Sequence, residues 1–458
     1  MIMRKFAYAG MAALLLALVA CASDRAVSYY DSNVADFSTE TLSNGIPVVF
    51  KQNGSGKILV LRMIIDGGTP LVPAEKSGLE DVTLEMLQYG SGRYSYAEIQ
   101  RLKYEQSFGI SARAGYDYSV YGFHCIEKYA DGVLDIFADS VLDPLFGAED
   151  FAKVMAEYAE DVQRTLTDPS GLLSATTRAA AFAQHPYASQ PSPTRDSVGA
   201  ITLDDVKLHY QTLLDARRLS FVVAGDISAA GRKKIAEKLE AAFASIPAGD
   251  FARPEIPALA VSGATVYERL EQAGEAGYAF GYYVCPDRND SAAYIPYALA
   301  SMFIEDALFA QVRERYGAVY SAGNGIMGGR KLFGVLSVYR ASKPDDLQRR
   351  IYDAIDSFPD EAGVAERLDQ YKNKYITTVF ASAQDTAGVA GNVVTSLQLY
   401  GDPTAYLRRT EQIQAVTAAQ VLAAYQTYFA RSPDRAAGGT PNPIRWVVLD
   451  RDGRYHFD

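Results

Sequence analysis

One order of predicted elements runs through this 458-residue chain twice, and a repeated order constrains the fold more tightly than any single motif. The first pass has an extended run over 57–66, helix-like segments at about 75–89 and 95–107, strands over 109–126, a long helical stretch over 128–215 and a closing apolar strand at 219–225. The second has strands over 264–285, helices over 290–316, strands over 317–340, helices over 343–429 and a closing strand at 445–449. Between the passes, Pro247-Ala248-Gly249-Asp250 and Arg253-Pro254-Glu255-Ile256-Pro257 break a helix-like run that ends near Ala244, and clustered Pro and Gly between periodic segments mark a domain boundary. Strands joined by tight turns and followed by helices read as α+β. Each half is expected to be a sandwich, a mostly antiparallel sheet with helices on one face. The expected division is a signal segment 1–20, a tether 21–36, an N-terminal domain 37–246, a linker 247–263 and a C-terminal domain 264–458.

Composition narrows the function classes. At 48% hydrophobic and 22% charged residues the chain is globular, not disordered. With 44 Lys plus Arg against 55 Asp plus Glu, the net charge is −11 and no basic run stands out. Nucleic acid is therefore a poor partner, because phosphate neutralisation supplies most of that affinity. The four histidines, His124, His185, His209 and His456, are too dispersed to make a paired-histidine metal motif.

Arg4 and Lys5 precede an apolar run from Phe6 to Ala20, and Cys21 follows in Leu18-Val19-Ala20-Cys21. This reads as a secretory signal that resembles the lipobox of bacterial lipoproteins, with cleavage before Cys21 and lipidation of its thiol. Removing Arg4 and Lys5 takes the charge from −11 to −13. No later segment has the apolar length to span a bilayer, so a soluble body anchored through its lipid in the bacterial envelope, facing the periplasm, is expected. Ala22 and Ser23 lack the aspartate of inner-membrane retention, which favours the outer membrane. Cys125 and Cys285 lie in strand-like apolar runs and read as buried small hydrophobes, although an oxidising compartment would permit a disulfide.

The order Leu42-Ser43-Asn44-Gly45-Ile46-Pro47, Gly67-Gly68, Ser77-Gly78-Leu79, His185-Pro186-Tyr187 and Val222-Val223-Ala224-Gly225-Asp226 resembles the pitrilysin/insulinase family of zinc peptidases, the inverted zincins, from about residue 40 to the C-terminus. The resemblance implies a helix after Gly-Leu carrying His-x-x-Glu-His, two zinc ligands and the general base, with a third carboxylate ligand seventy to eighty residues on. Here Asp81, Leu84 and Glu85 stand at those positions, and Glu160 and Asp161 lie near the third ligand's. Leucine accepts no proton, and carboxylates are harder ligands than zinc prefers. Asp81, Glu85 and Asp161 then read either as a hard-cation site or as a solvated acidic face. His185 is no substitute ligand, since in the family His-Pro-Tyr is a loop feature.

The second half carries Phe309-Ala310-Gln311-Val312-Arg313-Glu314-Arg315-Tyr316-Gly317-Ala318-Val319-Tyr320. It resembles the family's arginine and tyrosine seven residues apart, Arg313 and Tyr320, with Arg315 as the alternative arginine. In active relatives this pair holds the substrate backbone and stabilises the oxyanion. There is no Gly-x-Ser-x-Gly elbow, phosphate loop or Cys-x-x-Cys. The alternating Tyr278, Phe280 and Tyr282 read as core packing. The resemblance thus implies a catalytically silent subunit without a cofactor of its own, supplying Arg313 and Tyr320 to a zinc-bearing family partner in a heterodimer that hydrolyses peptides. The competing expectation is an envelope lipoprotein that binds or scaffolds without catalysis.

Overall fold

A computed structural model describes residues 28–54, 56–317 and 319–458; the signal segment, Cys21 and the residues through 27 lie outside these. In the first half, β1 (Phe37–Thr41), β2 (Pro47–Gln52), β3 (Ile58–Asp66), β4 (Gly109–Arg113), β5 (Tyr118–Ile126) and β6 (Leu219–Gly225) form one sheet in the order β1-β2-β6-β3-β5-β4. In the second, β7 (Val266–Arg269), β8 (Gly277–Val284), β9 (Ser321–Gly328), β10 (Leu332–Ala341) and β11 (Arg445–Asp450) form the order β7-β11-β8-β10-β9. Matching β2 to β6 onto β7 to β11 in chain order reproduces the second order from the first. The one parallel pair also matches, β2 with β6 and β7 with β11. The duplication read from the sequence is therefore one of topology. β1 is an addition to the first sheet, turned back onto β2 at Asn44-Gly45, where Gly45 takes φ +93°.

The helices of the first half are α1 (Tyr29–Asn33), α2 (Leu79–Met86), α3 (Tyr96–Gln106), α4 (Ala130–Leu142), α5 (Ala148–Thr167), α6 (Pro169–Phe182), α7 (Leu203–Leu213) and α8 (Ala229–Phe243). Those of the second are α9 (Ser291–Leu308), α10 (Leu347–Asp356), α11 (Glu361–Ala381), α12 (Thr386–Tyr400), α13 (Arg409–Ala415) and α14 (Ala418–Tyr428). Successive strand residues point to opposite faces, and here both faces are apolar. Phe50, Leu61, Met63 and Phe221 face helices of their own half. Val49, Val60, Ile64 and Val222 face Ala390, Val393 and Val394 of α12, a helix of the other half. The second sheet repeats this. Tyr283, Leu336 and Trp446 pack on their own helices, while Tyr278, Phe280, Tyr282 and Val447 receive Leu172, Leu173 and Phe182 of α6. Each half thus keeps its own helices on one face of its sheet and lends one helix to the other half. Each large side chain buried this way contributes about 1.5–3 kcal/mol.

Two segments read as connectors are docked. Residues 28–36, expected as part of a tether, form α1 and a 3-10 turn that fold back onto the second half: Tyr29 meets Phe380 edge-on at 5.4 Å, and Arg408 lies 4.0 Å over the Tyr30 ring. Asp36 pairs at 2.6 Å with the buried Lys51. In the linker, Ile256, Leu259 and Val261 pack on the cluster around α6, and Arg253 reaches Asp66 at 2.7 Å. Cys125 and Cys285 are buried as free thiols in the cores of different halves, and burial pushes each up to about 12. Among the described residues no helix is long and apolar enough to cross a membrane.

Candidate functional site

Gly78 begins α2 at φ +84°, with its α-carbon against Pro193, so that a side chain there would clash with the Pro193 backbone. Leu79, Val82, Leu84 and Met86 seat α2 in the core, Leu84 with no exposed surface. Asp81 and Glu85, one turn apart, share a face. Asp81 accepts hydrogen bonds from the Ala114 N–H (3.3 Å), the Tyr158 hydroxyl (3.0 Å) and the Ser192 hydroxyl (3.4 Å). Glu85 accepts one from Gln88 at 2.7 Å. Burial raises both carboxyls above their ordinary range, and the charges of Asp81 and Glu157 push Glu85 further in the same direction. The same burial, with Asp81 beside it, raises the Tyr158 phenol.

This corrects the reading of a solvated acidic face, because Asp81 and Glu85 are half-buried against α5 and the end of β4. Asp161 does not join them. α5 presents Tyr158 to Asp81, and Asp161, nearly one turn farther on, is exposed and paired with Arg164. Among the described residues no three His, Cys, Asp or Glu side chains converge as a metal would require. Zinc does not fit this set: Leu84 is hydrocarbon, Asp81 already accepts three donors, and the third carboxylate is turned to solvent.

Sequence reasoning missed the neighbour of these residues. Glu80, 2% exposed, points the other way on α2, where its carboxylate accepts from the Ser119 hydroxyl and lies 3.2 Å from His209 Nε2 and 3.6 Å from Arg218 Nη2. The only signal was a glutamate placed directly after Gly78-Leu79 in an apolar context. His185-Pro186-Tyr187 proves to be a clasp. The His185 Nε2 lies 3.2 Å from the Pro257 carbonyl, and the Tyr187 hydroxyl donates to Asp117 at 2.6 Å. The other oxygen of Asp117 accepts the Arg330 N–H at the tip of the β9–β10 hairpin.

In the second half, α9 runs on into a π-helical segment, Phe309–Arg315, and Gly317 at φ +60° ends it. π segments widen the turn and are found at functional sites. The guanidinium of Arg313 lies 4.8 Å over the Phe309 ring, with its side chain 42% exposed and the Glu314 carboxylate at 4.0 Å. Tyr320 stands just before β9, tied by its N–H to the Tyr339 carbonyl at 3.2 Å, and is 70% exposed. β9 is an edge strand fixed from behind: the Tyr283 hydroxyl donates to Asn324 at 2.8 Å, and Asn324 donates to Ser301 of α9 at 2.6 Å. Arg313 and Tyr320 are thus both exposed, one on the π segment and the other just before an edge strand held through Asn324. Arg315, also exposed, lies at the end of the π segment. α2 with Asp81 and Glu85 stands beside edge strand β4, the topological counterpart of β9.

Residues 48–192 match the family model described as insulinase (peptidase family M16), and residues 200–375 match the peptidase M16 inactive domain. The chain belongs to this family. It is 21% identical over 321 residues to an uncharacterized zinc protease of Rickettsia felis, a match covering 68% of this chain and 75% of that one. Its fold is similar to a peptidase M16 inactive domain from Pseudomonas fluorescens, with TM-score 0.76 and 20% identity over 92% of this chain and 99% of that one. It is also similar to the periplasmic protease PqqL of Escherichia coli, with TM-score 0.75 and 16% identity over 91% of this chain and 46% of that one. On α2 the family's zinc motif is absent, with Asp81, Leu84 and Glu85 at its positions.

Proposed function

We propose that this chain is the non-catalytic, substrate-binding subunit of a two-subunit M16 peptidase, and that Arg313 and Tyr320 act in the active site of a zinc-bearing partner. The observation that carries this reading is the asymmetry between the halves. Of the zinc-motif positions, Asp81 and Glu85 are hydrogen-bonded to their own neighbours and Leu84 is buried, whereas Arg313 and Tyr320 stand exposed. The likeness to under half of PqqL supports an assembly of two such units. In the composite site the guanidinium would orient the peptide backbone, and the phenol would donate to the oxyanion of the tetrahedral intermediate. Peptides and small unfolded proteins would be the substrates, and lipidation at Cys21 would hold the complex in the envelope, facing the periplasm.

The test is a peptidase assay on a quenched peptide with this chain, a zinc-motif relative from the same genome, and their mixture. Activity in the mixture only is expected. Arg313→Ala or Tyr320→Phe should lower kcat by about 10²–10³-fold without loss of folding, the scale of a removed oxyanion donor. If mixing adds nothing and the two chains do not co-elute, the reading fails and a binding or scaffolding lipoprotein takes its place.

A further inference from the structure

The docked segment 28–36 and the length of α11 together bear on how the molecule stands on a membrane. From Cys21 to Ser28, where the described chain begins, is seven residues, a reach of about 25 Å at full extension. A tether running to residue 36 would reach more than twice as far and leave orientation open. α1 removes that slack: Ser28 caps it, Tyr29 stacks edge-on against Phe380, and Tyr30 lies under Arg408. Phe380 stays 46% exposed beside Tyr29, and the Arg408 side chain, 3.5 Å from the Asp402 carboxylate, is 47% exposed. Aromatic rings and a long cationic side chain are the groups that sit well at a lipid interface.

Phe380 is near the C-terminal end of α11, whose 21 residues span about 30 Å. The opposite end of α11 adjoins the segment that carries Arg313. A cavity of about 440 Å³ there is lined by Phe309, Gln311, Pro359 and Arg367, and Gln311 donates to Ser357 at 2.6 Å. We infer that the face formed by α1, Phe380 and Arg408 lies against the lipid surface, and that α11 acts as a spacer holding the Arg313 end about 30 Å farther out. A partner subunit and its peptide would then meet the chain on the side away from the bilayer. This rests on lipidation at Cys21, and its test separates the two.

The lipidated chain is reconstituted on phosphatidylethanolamine–phosphatidylglycerol vesicles carrying nitroxide headgroups, with a fluorophore on a cysteine at one end of α11 or the other, Ala381→Cys or Glu361→Cys. Cys125 and Cys285 are buried, so the introduced thiol takes the label. The chain should float with the vesicles, and the label at 381 should be quenched several-fold more than the label at 361. Adding Tyr29→Ala and Tyr30→Ala should erase that contrast while flotation persists. Equal or reversed quenching, or a contrast that survives the two alanines, overturns the inference and leaves the anchor standing. A chain that does not float overturns the anchor and this inference with it.

Discussion

Glu80 and its neighbours Asp81 and Glu85 show how burial sorts three carboxylates on one helix. Burial pushes the Glu80 carboxyl up, but the hydrogen bond and charge of His209, the Arg218 charge and the Ser119 hydroxyl outweigh it, and the group ends below its ordinary range. A depressed carboxyl stabilises the fold at pH values above its unfolded pKa, about 4.3, and that contribution is lost as pH falls through the folded value. Glu80→Ala takes the nearest carboxylate from the buried Arg218 and the partner from the Ser119 hydroxyl and His209 Nε2, and should cost about 3–5 kcal/mol at pH 7. Urea denaturation at pH 7 and at a series of pH values below 4 checks this, because the gap between variant and wild type must close as pH falls through the folded value. Glu85 behaves oppositely. Its carboxyl is raised by burial and then by Asp81 and Glu157, so its ionised form penalises the fold, and the penalty fades as pH falls through the folded pKa. Glu85→Gln should therefore raise Tm at pH 7 and leave it unchanged at acid pH; a lower Tm at pH 7 would sink this account. The family resemblance pointed to Asp81, Leu84 and Glu85, but nothing local separated Glu80 from Asp81. The partners that distinguish it, at 119, 209 and 218, are distant in the chain.

At the scale of elements, the sequence was readable wherever the signal was periodic. β6 occupies the expected 219–225, and the expected strands over 109–126 are β4 and β5. The stretches 128–215 and 343–429 are largely helical as expected, although 183–202 is irregular apart from a 3-10 turn at Pro186–Ala188, and their composition does not say which helix each sheet receives. A hint lay in the strands: Tyr278 to Val284 is apolar or glycine at every position, as a strand covered on both faces must be. The π segment was invisible, because Phe309–Arg315 has ordinary helical composition. The exchange of helices predicts coupling across the halves. Val393 of α12 has no exposed surface and packs on Val49, Val60 and Ile64. Val393→Asp places an unpaired charge between α12 and the first sheet and should cost about 3 kcal/mol or more. Hydrogen exchange should then show lost protection in β3 and β6, although the substitution lies in the other half. If protection fell only within α11 to α14, the exchange of helices would not be coupling the halves.

For the whole molecule, the exchange means that neither half is complete alone, even though the strands of the two sheets lie on either side of the Pro- and Gly-rich segment near 250. Without α12 the first sheet bares Val49, Val60, Ile64 and Val222; without α6 the second bares Tyr278, Phe280, Tyr282, Phe333 and Val447. Apolar faces of that kind drive association in water. A break in the linker removes one covalent connection and none of these contacts, so its cost is that of bringing two chains together. Expressed singly, 37–263 and 264–458 should aggregate or stay partly unfolded. Expressed together, they should purify as a one-to-one complex with a single unfolding transition, because each supplies the helix the other lacks. The clasp from Tyr187 through Asp117 to the Arg330 N–H adds a polar test of the same interface. Asp117→Ala leaves the Tyr187 hydroxyl and the Arg330 N–H unpaired and should weaken the two-chain complex by about 1–3 kcal/mol, read as its dissociation constant. Should either half prove monomeric alone with native exchange protection in its sheet, the lent helices would be a covering and not the bond between the halves.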